Sequence, residues 1–175
     1  MKRDYIEFQE RSIAKAYLIT FRCYGTWLHG DERGSVDRRH YNQVGMAKIP
    51  SDPDSVNTKT RQMKSPQFLL NAEARIVVQT AIEGVCRFRE YGLYAINVRT
   101  NHVHSVVSNA GKPERMMDSF KAYATKALRE KGLLDSDAKA WSRHGSTRYL
   151  WTEEHVLTAV NYVLNGQGDE LPSFD

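Results

Sequence analysis

The stretch Leu93-Tyr94-Ala95-Ile96-Asn97-Val98-Arg99-Thr100-Asn101-His102-Val103-His104-Ser105-Val106-Val107-Ser108 decides the fold. Two runs rich in β-branched and aromatic residues are joined by Thr100-Asn101, which predicts neighbouring strands from about Leu93 to Arg99 and from about His102 to Ser108. Residues two apart on a strand share a face, with about 6.6–6.8 Å of rise between them. His102 and His104 therefore lean together, while Val103 and Val107 point the other way, into a core.

Upstream, Ala16 to Tyr24 is a further strand, with Tyr17, Ile19, Phe21 and Cys23 alternating onto one face and Gly25 ending it. From Gly30 to Pro66 the chain is polar, carries Pro50, Pro53 and Pro66, and has no periodicity, so it is expected to be a long loop. Asn71 can cap a helix running to about Arg89, in which Ala74, Val77, Val78, Ala81, Ile82, Val85 and Phe88 recur at helical spacing. Downstream, Pro113 and Gly132 suit the start and stop of a second helix. Trp141 to Trp151 contains a strand, and Thr152 caps a last helix that ends at Asn165-Gly166. The order is β, long loop, α, β, β, α, β, α, with no repeat and no interdomain linker. It predicts one α+β domain over residues 1–175, an antiparallel sheet with helices packed over it.

Bulk properties set the compartment and the class of partner. The 175 residues are 41% hydrophobic and 26% charged, enough to bury a core without staples. Cys23 and Cys86 lack metal-ligand spacing and read as buried thiols of a reducing compartment. No apolar run approaches a membrane span, and the N-terminus lacks the apolar core of a secretory signal, so a cytoplasmic protein without a membrane partner is expected. The net charge is +4, and the segment from Lys112 to Arg148, with nine Lys/Arg against five Asp/Glu, carries an excess of the same size. A polyanion is the partner such a segment suits.

Two places carry chemistry. Imidazoles sharing a strand face can hold one cation, and imidazole accepts zinc, manganese, nickel or copper alike. The plain alternative is a pair of half-buried polar residues. The second place is Ser119-Phe120-Lys121-Ala122-Tyr123-Ala124-Thr125-Lys126, where Lys126 stands one turn from Tyr123. A phenol attacks poorly at neutral pH unless a cation or base helps it, and Lys126 could stabilise its phenolate or bind a phosphate. The alternative is a core tyrosine of an amphipathic helix, one of nine tyrosines in the chain. Lys121, Lys139, Arg143, His144 and Arg148, interleaved with Trp141, Tyr149 and Trp151, could contact phosphates and stack bases of a single strand.

In order and spacing these pieces resemble the HUH single-tyrosine transposases, which include small insertion-sequence transposases and the REP-associated tyrosine transposases. The resemblance spans roughly Ala16 to Gly166, apart from the Gly30 to Pro66 excursion. It is carried by Tyr91-Gly92-Leu93-Tyr94-Ala95-Ile96 leading into Asn101-His102-Val103-His104, and by Phe120-Lys121-Ala122-Tyr123. Trp141-Ser142-Arg143-His144-Gly145 through Leu150-Trp151, with the helix ending Asn161-Tyr162-Val163-Leu164-Asn165, completes it.

The resemblance implies a ferredoxin-like sheet and a divalent metal, Mg2+ or Mn2+, held by His102 and His104. It also implies Tyr123 as the nucleophile that cuts single-stranded or hairpin DNA through a 5′-phosphotyrosine. Such relatives act as monomers or as dimers that exchange the tyrosine helix, so a homodimer stays open. The chain departs from the pattern one turn after Tyr123, where many members carry Gln, Asn or His and this one has Lys126 and Ala127. A third metal ligand would then come from His29, His40, His144 or Glu130, with His29 slightly preferred, or from water. Three rivals stand beside this reading. They are a transposase-derived hairpin-binding protein that does not cut, an RNA-binding domain with the same element order, and a zinc hydrolase, which normally needs three protein ligands.

Overall fold

A computed structural model describes residues 14–28, 31–32, 50–108 and 111–166. Four strands, β1 (Ala16–Cys23), β2 (Gly92–Val98), β3 (His102–Ser108) and β4 (Trp141–Leu150), form one antiparallel sheet in the order β2-β3-β1-β4. With helices α2 (Ala72–Phe88) between β1 and β2 and α3 (Pro113–Glu130) between β3 and β4, this is the ferredoxin-like arrangement. A last helix, α4 (Glu153–Asn165), follows β4.

The central strands are apolar on both faces, and each face has its own cover. Tyr17, Ile19, Phe21 and Cys23 of β1, with Val103 and Val107 of β3, pack under α2 and α3. The other alternating set, Ala16 and Leu18 with Val106, Ala95 and Leu150, packs under Ala159 and Val163 of α4. The helices thus lie on both sides of the sheet, two on one face and the terminal one on the other.

Local chemistry explains the boundaries. Asn71 caps α2 by accepting from the Ala74 amide at 2.8 Å, and Thr152 caps α4 by accepting from the His155 amide at 3.1 Å. The chain leaves α3 at Gly132 with φ of +68°, a left-handed turn that glycine takes without cost. Gly145 is required by contact rather than by torsion, since a Cβ there would collide with the Thr20 carbonyl and the Met117 sulfur. β4 can therefore lie close over β1.

One expectation is corrected in part. The polar stretch between Gly30 and Pro66 contains a helix, α1 (Pro53–Arg61), none of whose residues is buried. Its amphipathic signal is missing because it covers no core. Its start is nonetheless written in the sequence, with Asp52 accepting from the Asp54 and Ser55 amides and Pro53 in the first turn. No helix among the described residues is long and apolar enough to cross a membrane.

Helix α3 is positioned by Met116, Phe120, Ala124 and Leu128, spaced four apart along its buried face. Phe120 is fully buried and meets the Tyr91 ring edge-on at 6.4 Å between centroids. Trp141 brackets the helix to β4: its indole Nε1 donates to the Lys121 carbonyl and to Thr125 Oγ1, and its ring meets Phe21 edge-on. Phe120→Ala is expected to lower the unfolding free energy by about 3–5 kcal/mol, the usual result of emptying a packed aromatic site. Urea denaturation measures it, and a loss below about 1 kcal/mol would mean that α3 is not anchored through this ring.

Candidate functional site

The histidines share one face of β3, as the alternation requires. That face is the one α4 partly covers, since Val106, two residues beyond His104, belongs to the α4 core. The two imidazoles stand edge to face with centroids 4.7 Å apart and an interplanar angle of 80°. Around them the sheet register sets a small grid. His104 lies opposite Thr20 of β1 and Asn97 of β2, and His102 lies opposite Arg22 of β1. Arg99 flanks His102 on its other side, its amide donating to the His102 carbonyl at 2.9 Å.

Each imidazole is oriented by a side-chain hydrogen bond at Nδ1. His102 Nδ1 lies 2.6 Å from Asn101 Oδ1. A carbonyl oxygen can only accept, so this nitrogen carries a proton, and Nε2 is the nitrogen turned to other chemistry. His104 Nδ1 lies 2.7 Å from Thr20 Oγ1, so Nε2 is again the nitrogen turned to other chemistry. Burial, then His102, then the Arg22 and Arg99 guanidiniums push the His104 imidazole down to about 3, so it is neutral at physiological pH. Neutral, oriented imidazoles are what a metal requires of histidine ligands.

The third aromatic group of the site comes from the last helix. Tyr162 stands edge to face with His104, the ring centroids 5.6 Å apart. Its position follows from two contacts on either side of the site. Val163, the next residue, is buried in the α4 core, and its carbonyl accepts from Asn97 Nδ2 at 2.9 Å. Asn97 is in turn the β2 neighbour of His104. One asparagine thus fixes the end of α4 over the strand that presents the histidines.

The residues expected to act with the pair are distributed differently. Tyr123 and Lys126 lie on α3, across the sheet from His102 and His104, because Phe120, Ala124 and Leu128 dock that helix on the opposite face. The expectation that Tyr123 stands beside the histidines is therefore not met in this chain's geometry. Lys126 reaches Glu130 at 3.7 Å, both largely exposed, so neither adjoins the pair.

Lys121 ties α3 to β4, donating to the Ser142 and His144 carbonyls at 2.9 and 3.2 Å, and burial lowers its pKa. It serves the fold rather than a free surface. Lys139 lies over the Tyr24 ring, and Arg143 and His144 are exposed on β4. Arg148 is different. It pairs with Leu18 across β1, which puts it on the histidine face, and its buried Nε has no hydrogen-bond partner among the described residues.

Trp141 is a bracket of the core. Tyr149 and Trp151 stack on one another at 5.5 Å, with Tyr149 meeting Tyr17 on the α2–α3 side. These aromatics do not flank the pair. His29 and His40 lie outside the described residues. Among the described residues no group of three or more His, Cys, Asp or Glu gathers to hold a metal. Both cysteines are buried, which pushes Cys23 up to about 12 and Cys86 to about 11, so neither is a thiolate ligand at neutral pH.

Tyr162 was legible in principle. Ala16, Leu18, Ala95 and Val106 form a second apolar set on the histidine face, and the last helix is the element left to cover it. Its Tyr162-Val163-Leu164-Asn165 end then falls near the pair. No family model matches the chain, and no curated protein is significantly similar to it.

The depressed His104 value carries a signed consequence for stability. The unfolded imidazole titrates near 6.5 and the folded one near 3, so the unfolded state takes up the proton first as pH falls. The His104 contribution is complete above about pH 6.5 and is lost progressively towards pH 3. In His104→Asn, which keeps a partner for Thr20, stability is expected to fall less steeply over that window than in the parent. Urea midpoints at a series of pH values test this. Parallel curves for parent and variant would mean that His104 is hydrated in the folded protein.

Proposed function

We propose that this protein is a metal-dependent endonuclease and strand transferase for single-stranded DNA, of the HUH single-tyrosine transposase type, with Tyr162 as its nucleophile. The observation that carries the reading is the meeting of His102, His104 and Tyr162 on one sheet face, with both imidazoles oriented through Nδ1. The resemblance of the histidine motif and of the C-terminal strand and helix adds to it; the part of the resemblance that falls on Tyr123 does not.

His102 and His104 would hold the divalent cation, Mg2+ or Mn2+. The donor set fits an ion that keeps its remaining positions for water and phosphate oxygens, as both metals readily do. When bound, such an ion withdraws charge from a phosphodiester and orients it. Asn101 and Thr20 hold the two rings in orientation. Asn97 holds the end of α4, and so the Tyr162 ring, over the same strand. The Tyr162 oxygen attacks phosphorus in line, its proton passing to solvent; the P–O3′ bond breaks, leaving a 5′-phosphotyrosine and a free 3′-hydroxyl. Attack by another 3′-hydroxyl on the same phosphorus reverses the step and joins a new strand. No nucleotide cofactor is consumed.

A binding protein derived from such an enzyme, which holds hairpin DNA without cutting it, is favoured only by the small ligand set. The nicking assay separates the two readings. In parent protein with Mn2+, a denaturing gel is expected to reveal a covalent protein–DNA adduct that EDTA abolishes. Tyr162→Phe should form no detectable adduct and bind the oligonucleotide within about tenfold of the parent, since one hydroxyl is lost. Tyr123→Phe should retain the parental yield, and His102→Ala and His104→Ala should each lose it. Adduct formation by Tyr162→Phe, or its loss in Tyr123→Phe, would overturn the assignment of the nucleophile. Absence of cutting with strand binding intact would leave the binding protein.

The same geometry bears on the substrate. None of the four strands contains Asp or Glu, whereas β1 and β4 carry Arg22, Arg143 and Arg148. A tyrosine on a helix beside a metal reaches a phosphate only if the backbone is drawn in to it, which a paired strand resists. Hairpin DNA with an unpaired flank is therefore expected to bind at least about tenfold more tightly than a blunt duplex of equal length. Both affinities should weaken with salt while their ratio persists. Fluorescence anisotropy across a salt series measures this, and equal affinities would reduce the surface to a generic basic patch.

A further inference from the structure

We infer that a groove beyond the C-terminal end of β1 is a second contact for the DNA, one that holds a backbone phosphate of the single strand away from the histidine pair. The inference rests on the reading of the protein as a binder of single strands, and on neither the cut nor the metal.

The groove has a volume of about 500 Å3. Gly25 lines it from the turn after β1, and Thr60, Lys64, Ser65 and Gln67 line it from the end of α1 and the segment that follows. No Asp or Glu is among the described residues that line it. From Ser55 to Asn71 the chain carries Lys59, Arg61 and Lys64 and no acid at all. Helix α1 adds no buried residue to either core, so packing does not account for it. What its last turn does is bring Thr60 to this groove.

Two hydroxyls are set there as donors. Tyr24 Oη accepts from the Lys64 amide at 3.1 Å, and Ser65 Oγ accepts from the Lys139 amide at 3.1 Å. Each oxygen is thus oriented by the backbone, and neither hydroxyl proton has an acceptor among the described residues, so both are left to donate outward. Two cations stand beside them. The Lys139 ammonium lies over the Tyr24 ring, 5.4 Å from its centroid, and the Lys64 side chain is exposed next to Ser65. Paired O–H donors with two ammonium groups and no carboxylate suit the two free oxygens of a phosphodiester.

The same backbone joins the groove to the histidine end of the sheet. Cys23, one residue before Tyr24, donates through its amide to the Asn101 carbonyl at 2.8 Å, and Asn101 precedes His102. Beyond Gln67 the chain is pinned twice more, by the Phe68 amide to the Tyr24 carbonyl at 3.0 Å and by the Leu70 amide to the Thr100 carbonyl at 2.7 Å. Phe68 to Leu70 therefore runs from the groove to the turn that presents His102. A single strand that passes the histidine pair can continue along this segment and place a further phosphate in the groove.

The test replaces the phosphates of a single-stranded oligonucleotide one at a time by neutral methylphosphonates and follows binding to the full-length protein by fluorescence anisotropy. Lys64→Gln with Lys139→Gln is expected to weaken the unmodified strand at least about tenfold and to lower the salt slope by about 0.7 for each phosphate released. One methylphosphonate position should weaken the parent and cost the glutamine variant nothing further, because its partner is already gone. Lys64→Arg with Lys139→Arg, which keeps the charge, should bind as the parent does. Tyr24→Phe, which loses one donated proton, should weaken binding through the same phosphate. Thermal melts check that each variant is folded.

An unchanged affinity and salt slope in the glutamine variant would overturn the groove and leave the histidine-face reading as it stands. So would methylphosphonate losses that persist in that variant at every position. An equal loss for a blunt duplex of the same length would reduce the groove to a generic basic surface. Binding lost in the glutamine variant but kept by His102→Ala with His104→Ala would support the groove and remove the histidines from strand recognition.

Discussion

The two central strands must be buried on both faces, and the rest of the molecule answers to that constraint. The set of β1 and β3 under α2 and α3 is apolar through most of its length, and the opposite set is apolar at Ala16, Leu18 and Val106, so neither face of the sheet can be left wholly to water. Helices α2 and α3 cover one face. Covering the other takes an element that arrives after β4, and α4 is that element. Where its apolar stripe ends, Tyr162 stands against the buried His104, while His102 stays half-buried. The candidate site is thus the polar margin of a packing problem.

Polar residues refine what packing leaves approximate. Burying Ala159 and Val163 settles which side of α4 meets the sheet but does not settle how far along the sheet the helix lies. The bond from Asn97 to the Val163 carbonyl supplies that register, and Asn97 is itself placed by pairing with His104. Thr20 and Asn101 do for the imidazole rings what Asn97 does for the helix. All three belong to the sheet or its turn, so the geometry of the pair is inherited from backbone pairing.

Much of this was written plainly in the sequence. Period-two alternation in His102 to Ser108 and helical spacing in Ala74 to Val85 report burial directly, and Asn71, Thr152 and Gly132 punctuate the helices by local chemistry. Helix α1 was not legible from periodicity because it buries nothing, although Asp52 and Pro53 mark its start. The place of Tyr123 away from the histidines has another cause. Tyr123 follows the histidines closely in sequence, yet the α3 stripe of Phe120, Ala124 and Leu128 carries it to the far side of the sheet. Nearness along a chain says little about sides of a sheet, whereas the second apolar set on β1, Ala16 and Leu18, did indicate that the final helix must cross to the histidine face.

The existence of two cores, unequal in size, bears on how such a protein can change over generations. The larger holds α2 and α3 to the sheet. The smaller, built on Ala16, Leu18, Ala95, Val106, Leu150, Ala159 and Val163, holds the helix that carries Tyr162. Small losses in the second loosen the hydroxyl-bearing helix while the first still maintains the sheet, its basic residues and the oriented imidazoles. Selection acting on such a chain can therefore alter the placement of α4 in small steps and keep the histidine pair. The reverse path is closed, because damage to the larger core removes the platform on which both depend.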